Sequence, residues 1–165
     1  VALTPAITDL EQLKSHPALA KLLAWKQNAV TEAKFDRDEL TIWIERDSIR
    51  DACAILQEDA DCPFNYLCDI TCVDWYPAEP RFEVVYHLLS LREKERVRLK
   101  VRLGGDDPTL QSAFSVWPAA NYFEREIFDL FGVRFSGHPN LERILMPDDW
   151  EGHPLRKDYP VEGYR

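Results

Sequence analysis

Apolar and basic side chains alternate without a break from Arg96 to Leu103. Val97, Leu99, Val101 and Leu103 fall on one face of an extended strand, and Arg96, Arg98, Lys100 and Arg102 on the other. The same period of two runs through 40–45, where Leu40, Ile42 and Ile44 oppose Thr41, Trp43 and Glu45. A turn around Asp36 to Glu39 separates that strand from an earlier one. Two further strands are predicted at Tyr66 to Asp74 and Phe82 to Leu89. The second is almost wholly apolar, which places it inside the sheet with both faces covered.

Helical spacing fills the intervals. Thr8 and Glu11 have capping-box spacing around Leu10 and Leu13. Ser15-His16-Pro17 starts a second helix carrying Leu19, Leu22 and Leu23. Asp47 or Ser48 caps a third, with Ile49, Ala52, Cys53 and Leu56 on one stripe. Asp107-Pro108 predicts a helix through Leu110, Ala113, Phe114 and Trp117, halted by Pro118. Asn121 caps the last, Tyr122 to Phe131, and Gly132 ends it. Phe123, Ile127, Leu130 and Phe131 form its apolar stripe, and Glu126 lies on that face. A buried Glu126 needs a cation such as Arg143 or Arg156, and on this reading it anchors the following segment. Arg125 and Asp129, four residues apart, are placed as an exposed pair.

Beyond Gly132 the pattern loses its regularity. Pro139, Pro147, Pro154 and Pro160 rule out one long helix. Phe135, Leu141, Ile144, Leu145, Met146, Trp150, Leu155 and Tyr159 nevertheless give the segment more apolar surface than a disordered tail carries. The order of elements predicts an α+β fold, with a mostly antiparallel or mixed sheet and helices packed on it over residues 1–132. An extended, irregular C-terminal arm follows over residues 133–165, part of the same structural unit, burying its apolar side chains on its own domain or on a partner.

Charge narrows the partners. The net charge of −9, with only a slight basic excess in residues 81–120, argues against nucleic acid or anionic lipid as the main partner. No apolar run approaches the roughly 20 residues that span a bilayer, so a soluble chain without direct membrane insertion is expected. Cys53, Cys62, Cys68 and Cys72 include no CxxC pair and read as reduced thiols. Cys68 and Cys72, an even number of residues apart, are expected to share the core face of one strand. That reading is preferred to an iron–sulfur or zinc site built from Cys62, Cys68 and Cys72.

Chemistry-bearing motifs are few. There is no phosphate-cradling glycine loop, HExxH or GxSxG, and Gly104-Gly105-Asp106 reads as a turn. His138 and His153, each between Gly and Pro, are the best acid–base or metal candidates, with Glu126 as a third group. The simpler reading makes each a turn histidine bonding a nearby carbonyl. The face Arg96, Arg98, Lys100 and Arg102 is either solvated and offset by acids on neighbouring strands or a dock for an acidic partner.

Several long motifs carry a resemblance. Arg81-Phe-Glu-Val-Val-Tyr-His-Leu-Leu-Ser90, Glu124-Arg-Glu-Ile-Phe-Asp-Leu-Phe-Gly132, Gly137-His-Pro-Asn-Leu-Glu-Arg-Ile-Leu-Met-Pro147 and Trp150-Glu-Gly-His-Pro-Leu-Arg-Lys-Asp-Tyr-Pro160 stand in order. Together they resemble the family of the C subunit of complex I, the 30 kDa subunit of respiratory NADH:quinone oxidoreductase. The likeness covers about residues 62–160 and, for the first sixty residues, extends only to general layout. It implies a structural subunit of the hydrophilic arm, with no catalytic residue and no cofactor of its own. NADH, FMN, iron–sulfur clusters and quinone then belong to the parent complex. The D subunit of complex I is the implied main partner, with the B and I subunits nearby, at the cytoplasmic face of a bacterial inner membrane. Glu124, Arg125, Glu126, Asp129, His138, Arg143, His153, Arg156, Lys157 and Asp158 become candidate anchors or docking residues, beside the cationic face. Related chains serve membrane-bound hydrogenases and coenzyme F420-linked complexes. A free-standing acid–base or metal enzyme using His138, His153 and Glu126 is the alternative from another class.

Overall fold

Arg37 and Asp38 both adopt positive φ, 54° and 62°, the geometry of a two-residue hairpin turn whose twist matches the strands it joins. They connect β1 (Val30–Asp36) to β2 (Glu39–Ile44) in the computed structural model, which describes residues 5–163. With β3 (Tyr66–Asp74), β4 (Phe82–Leu89) and β5 (Arg96–Leu103) they form one mixed sheet in the order β1-β2-β5-β4-β3. Only the β2–β5 pair is parallel. The three long strands have the predicted ends, because alternation and turn residues agree there.

Helices pack on the apolar face, as an α+β fold requires. Leu19 and Leu22 of α2 (Pro17–Trp25) and Ile49, Ala52, Cys53 and Leu56 of α3 (Ile49–Gln57) join the cluster that contains Ile42, Tyr86 and Leu99. Ala120 and Ile127 of α4 (Ala120–Phe131) complete it. The short α1 (Leu10–Leu13) is capped by Asp9, which accepts the Glu11 N–H, rather than by Thr8. Helix α4 begins at Ala120 with no side-chain cap, so Asn121 lies inside it.

Three further sequence expectations are corrected. The segment 107–117 is not a helix. Thr109–Gln111 is a strand, β6, paired in parallel with β7 (Arg134–Ser136), and a turn follows. Leu110, Ala113 and Trp117 are buried as the helical spacing suggested, but a strand followed by a turn buries them equally well. Strand β7 also carries regular structure past Gly132, since Val133 and Phe135 are core residues and Leu110 pairs with Phe135. Finally, Cys68 and Cys72 do not share the core series. A bulge between Leu67 and Asp69 turns Leu67, Ile70, Cys72 and Asp74 inward and leaves Cys68 half-buried.

Candidate functional site

Helix α4 buries Ala120, Glu124 and Ile127, which recur at the spacing of one helix face. Glu126 stands about 200° further round the helix from Glu124 and is exposed, which overturns its expected burial and anchoring role. On α4 the buried acids are Glu124 and Asp129, both without exposure. Nor is Asp129 an exposed partner of Arg125. The Arg125 guanidinium donates instead to the carbonyls of Glu142 and Arg143 at 3.2 and 2.9 Å.

Asp129 is the knot of the arm. Its Oδ1 accepts from Arg143 Nη1 at 2.6 Å. Its Oδ2 accepts three successive amides, Ile144, Leu145 and Met146, at 3.0, 2.8 and 2.9 Å. Burial pushes this carboxyl up, but the Met146 amide, Arg143 and the other two amides together outweigh it. Asp129 is held below the usual range and is charged.

The last carbonyls of an α-helix lack partners within the helix, and here the arm supplies them. The Asp129 carbonyl accepts from Arg143 Nη1 at 3.1 Å and from the Nδ1–H of His153 at 2.9 Å. The Leu130 carbonyl takes the Leu155 amide at 3.0 Å, and Phe131 takes Arg156 Nε at 2.6 Å. Two arginines at this end also suit the negative pole of the helix. Gly132, at φ 75°, is required twice. It reverses the chain, and a Cβ there would meet Arg156 Nη2 and His153 at 2.6 Å. Arg143 Nη2 then ties back the Trp150 and Gly152 carbonyls at 2.9 and 3.0 Å.

A second knot holds the end of the arm. Arg81, immediately before β4, clamps buried Asp74 at 2.9 and 2.8 Å and Asp158 at 2.9 and 2.6 Å. Asp74 also accepts the amides of Lys157 and Tyr76. Its burial is outweighed by Arg81 and these amides, and its carboxyl is pulled down to about 2. Lys157 thus contributes through its backbone. Sequence reasoning missed both Asp74 and Arg81. The available signal was parity, since Asp74 falls on the inward series of β3 with Ile70 and Cys72, and a buried acid demands a cation.

Glu124 differs from both. It accepts the Ser112 hydroxyl at 2.6 Å and the Ala113 amide at 2.7 Å, with no cation in contact among the described residues. Burial pushes its carboxyl up to about 7 against the pull of those two donors. Both histidines bond backbone. His138 donates Nε2–H to the Asn121 carbonyl and accepts the Asn140 amide on Nδ1, which fixes its tautomer. No hydrogen bond joins His138 or His153 to Glu126. Among the described residues no group of three His, Cys, Asp or Glu side chains is placed to hold a metal ion.

On the cationic face, Arg98 pairs with Glu39, Lys100 with Glu83 at 2.6 Å, and Arg102 with Glu32 at 2.7 Å. Lys100 and Arg102 also lie over the Trp43 ring, each 5.3 Å from its centre. Among the described residues only Arg96 of this row lacks an ion pair. Glu39 and Glu83 come from the strands on either side of β5 and Glu32 from β1 beyond β2, so acids of the same sheet offset most of the row.

Beyond Phe135 and Leu141, which pack on the core, the arm spends many polar groups on α4 and leaves several large apolar side chains outward. Leu145 is 61% exposed and Leu155 51%, with Ile144 and Trp150 also exposed. Trp75 and Tyr76 are half exposed, and the Tyr76 ring lies 4.8 Å from the Arg81 guanidinium. No helix of the described residues is long and apolar enough to cross a membrane.

Comparison with known proteins follows the same lines. The family described as respiratory-chain NADH dehydrogenase, 30 Kd subunit, matches residues 42–165. The NADH-quinone oxidoreductase C subunit of Roseiflexus sp. (strain RS-1) is 45% identical over 149 residues, 90% of this chain and 86% of that protein. The corresponding C subunit of Citrifermentans bemidjiense is 43% identical, over 91% of this chain and 92% of its own. Among solved structures, a chain of an archaeal respiratory membrane complex, the membrane-bound sulfane sulfur reductase, superposes with a TM-score of 0.74. It is 30% identical over 90% of this chain and 86% of that one. Nqo5, as a trypsin-resistant fragment, gives a TM-score of 0.61 at 29% identity, over 75% of this chain and 99% of that one.

Proposed function

The chain belongs to the family of the 30 kDa subunit of respiratory-chain NADH dehydrogenase, and from that premise we propose that it is a structural subunit of the complex's hydrophilic arm. It docks on the D subunit through its C-terminal arm, with the B and I subunits nearby. NADH, FMN, iron–sulfur clusters and quinone belong to the other subunits. The chain sits peripherally, at the cytoplasmic face of the membrane that holds the complex. Its part in electron transfer is to fix the position of its neighbours.

One observation carries this reading. The polar groups of the arm are spent on α4, while Leu145 and Leu155 face outward, the reverse of what a free-standing domain needs. Replacing both leucines by aspartate in the full chain should leave the fold intact and abolish binding to the purified D subunit. Unchanged binding by a folded double variant would overturn the arm as the docking surface.

The likeness to the sulfane sulfur reductase chain favours a second reading of the same geometry, a corresponding subunit in a related membrane complex with another electron donor. Hydrogenase and coenzyme-linked relatives belong to this reading. The proteins that co-purify with the tagged chain from its native membrane separate the two.

A further inference from the structure

Glu124 stands apart from every other acid in the fold, and the knots that hold the arm make no use of it. Its carboxyl is wholly buried in α4 and meets two donors, Ser112 Oγ and the Ala113 amide. Both donors lie in the turn between β6 and α4, so the carboxyl is what fastens that turn to the helix. The titratable groups facing it from the packed elements are the thiol of Cys53 on α3 and the phenol of Tyr86 on β4. Burial raises both well above their ordinary values, so neither is charged near neutrality and neither balances an anion. The Tyr86 hydroxyl and Trp117 Nε1, buried in the same core, have no hydrogen-bond partner among the described residues.

We propose that Glu124 is a proton-dependent latch: protonated, it seals the 112–117 turn against α4, and ionised, it lets that turn open to water. The chemistry of the two states supports this. The neutral acid donates its own O–H to Ser112 Oγ, which already accepts the Phe114 amide at 3.1 Å, and its carbonyl oxygen keeps the Ala113 amide. Both contacts survive without a buried charge, the one to Ser112 with donor and acceptor exchanged. The carboxylate keeps two donors but remains an unpaired ion in the core, a state that admitting water relieves. The upward displacement of its carboxyl to about 7 places the change near neutral pH.

The test is amide hydrogen exchange at Ala113 and Phe114 in the full chain, corrected for the intrinsic pH dependence of exchange, beside an NMR titration of the Glu124 side-chain carboxyl. Opening should rise roughly ten- to a hundredfold between pH 5.5 and 8.5 by linkage to that carboxyl. The same amides in Glu124→Gln, an amide that reproduces the neutral acid's hydrogen bonds, should show no such rise. A carboxyl that titrates in the ordinary acidic range, or a rise that persists in Glu124→Gln, would overturn the latch. Should that variant fail to fold, Ser112→Ala removes a charge-assisted donor to the anion and only a neutral acceptor from the acid, the weaker of the two losses. It must then move the Glu124 midpoint further upward, and a midpoint unmoved or lowered contradicts the proposal.

Discussion

Glu124 and Asp129 stand five residues apart on α4, both without exposure, and burial has opposite outcomes at the two. Asp129 meets a guanidinium and three aligned amides, so it stays charged and strengthens with its neighbours. Glu124 meets one hydroxyl and one amide, so its charged form is disfavoured. Burial alone therefore does not decide the state of an acid; the donors built around it do. The two acids also serve different contacts, Asp129 holding residues 143–146 of the arm and Glu124 the turn at 112–117.

The largest effect is expected at Asp129. Asp129→Asn strands Arg143 and puts an amide donor against a row of N–H groups. Loss of one member of a buried pair costs about 3–5 kcal/mol. Thermal unfolding should report that loss, and proteolysis should accelerate at sites after residue 132. Equal protease resistance in variant and wild type would break the contrast.

Next comes pH. With its carboxyl raised to about 7 from an ordinary 4.5, folded Glu124 holds a proton that the unfolded chain has lost between those values. Its contribution is complete below about pH 4.5 and disappears as pH rises through 7, roughly 3 kcal/mol in all. Asp129 has the opposite sign. Its contribution is present above the ordinary aspartate value of 3.8 and is lost as pH falls below it. Stability against pH for Glu124→Gln should lack the neutral-range decline and keep the acid one; a decline in both chains would remove Glu124 as its source.

The paired cationic face should respond less. Arg98→Glu with Arg102→Glu sets like charges against Glu39 and Glu32, costing about 1 kcal/mol or less at each partly exposed site. Chemical denaturation measures this, and a loss of several kcal/mol would show the face to be more than solvated surface. Smallest of all is Glu126→Gln, which should stay within about 0.5 kcal/mol because the side chain is exposed. A clear loosening of the arm in that variant would restore Glu126 as its anchor.

Much of the sheet could be read from alternation, because period two survives wherever one face is buried. It failed at Cys68, where a bulge breaks the count, and at 107–117, where a strand and turn imitate helical spacing. On α4 the stripe was placed correctly within a residue or two, but that margin exchanges Glu124 for Glu126. Asp129, read from spacing as an exposed partner of Arg125 and from the resemblance as a candidate anchor, is buried for a different reason. It is buried by the arm, which has no period, and only the tertiary approach of residues 143–146 covers it. Arg143 and Arg156 are legible as cations for a buried carboxylate, but the spacing assigns them to Glu126, whereas Arg143 meets Asp129 and Arg156 the Phe131 carbonyl; Asp74 and Arg81, far from the arm in sequence, are not legible as a pair.

The most direct measurement compares assembly with turnover in the native membrane for wild type and Asp129→Asn. Quantifying the captured D subunit per tagged chain, and NADH–quinone turnover per captured complex, separates holding from catalysis. Asp129→Asn is expected to lower the yield of complex while each assembled complex turns over normally. A complex of normal abundance that has lost its turnover would contradict it and make this chain part of the chemistry.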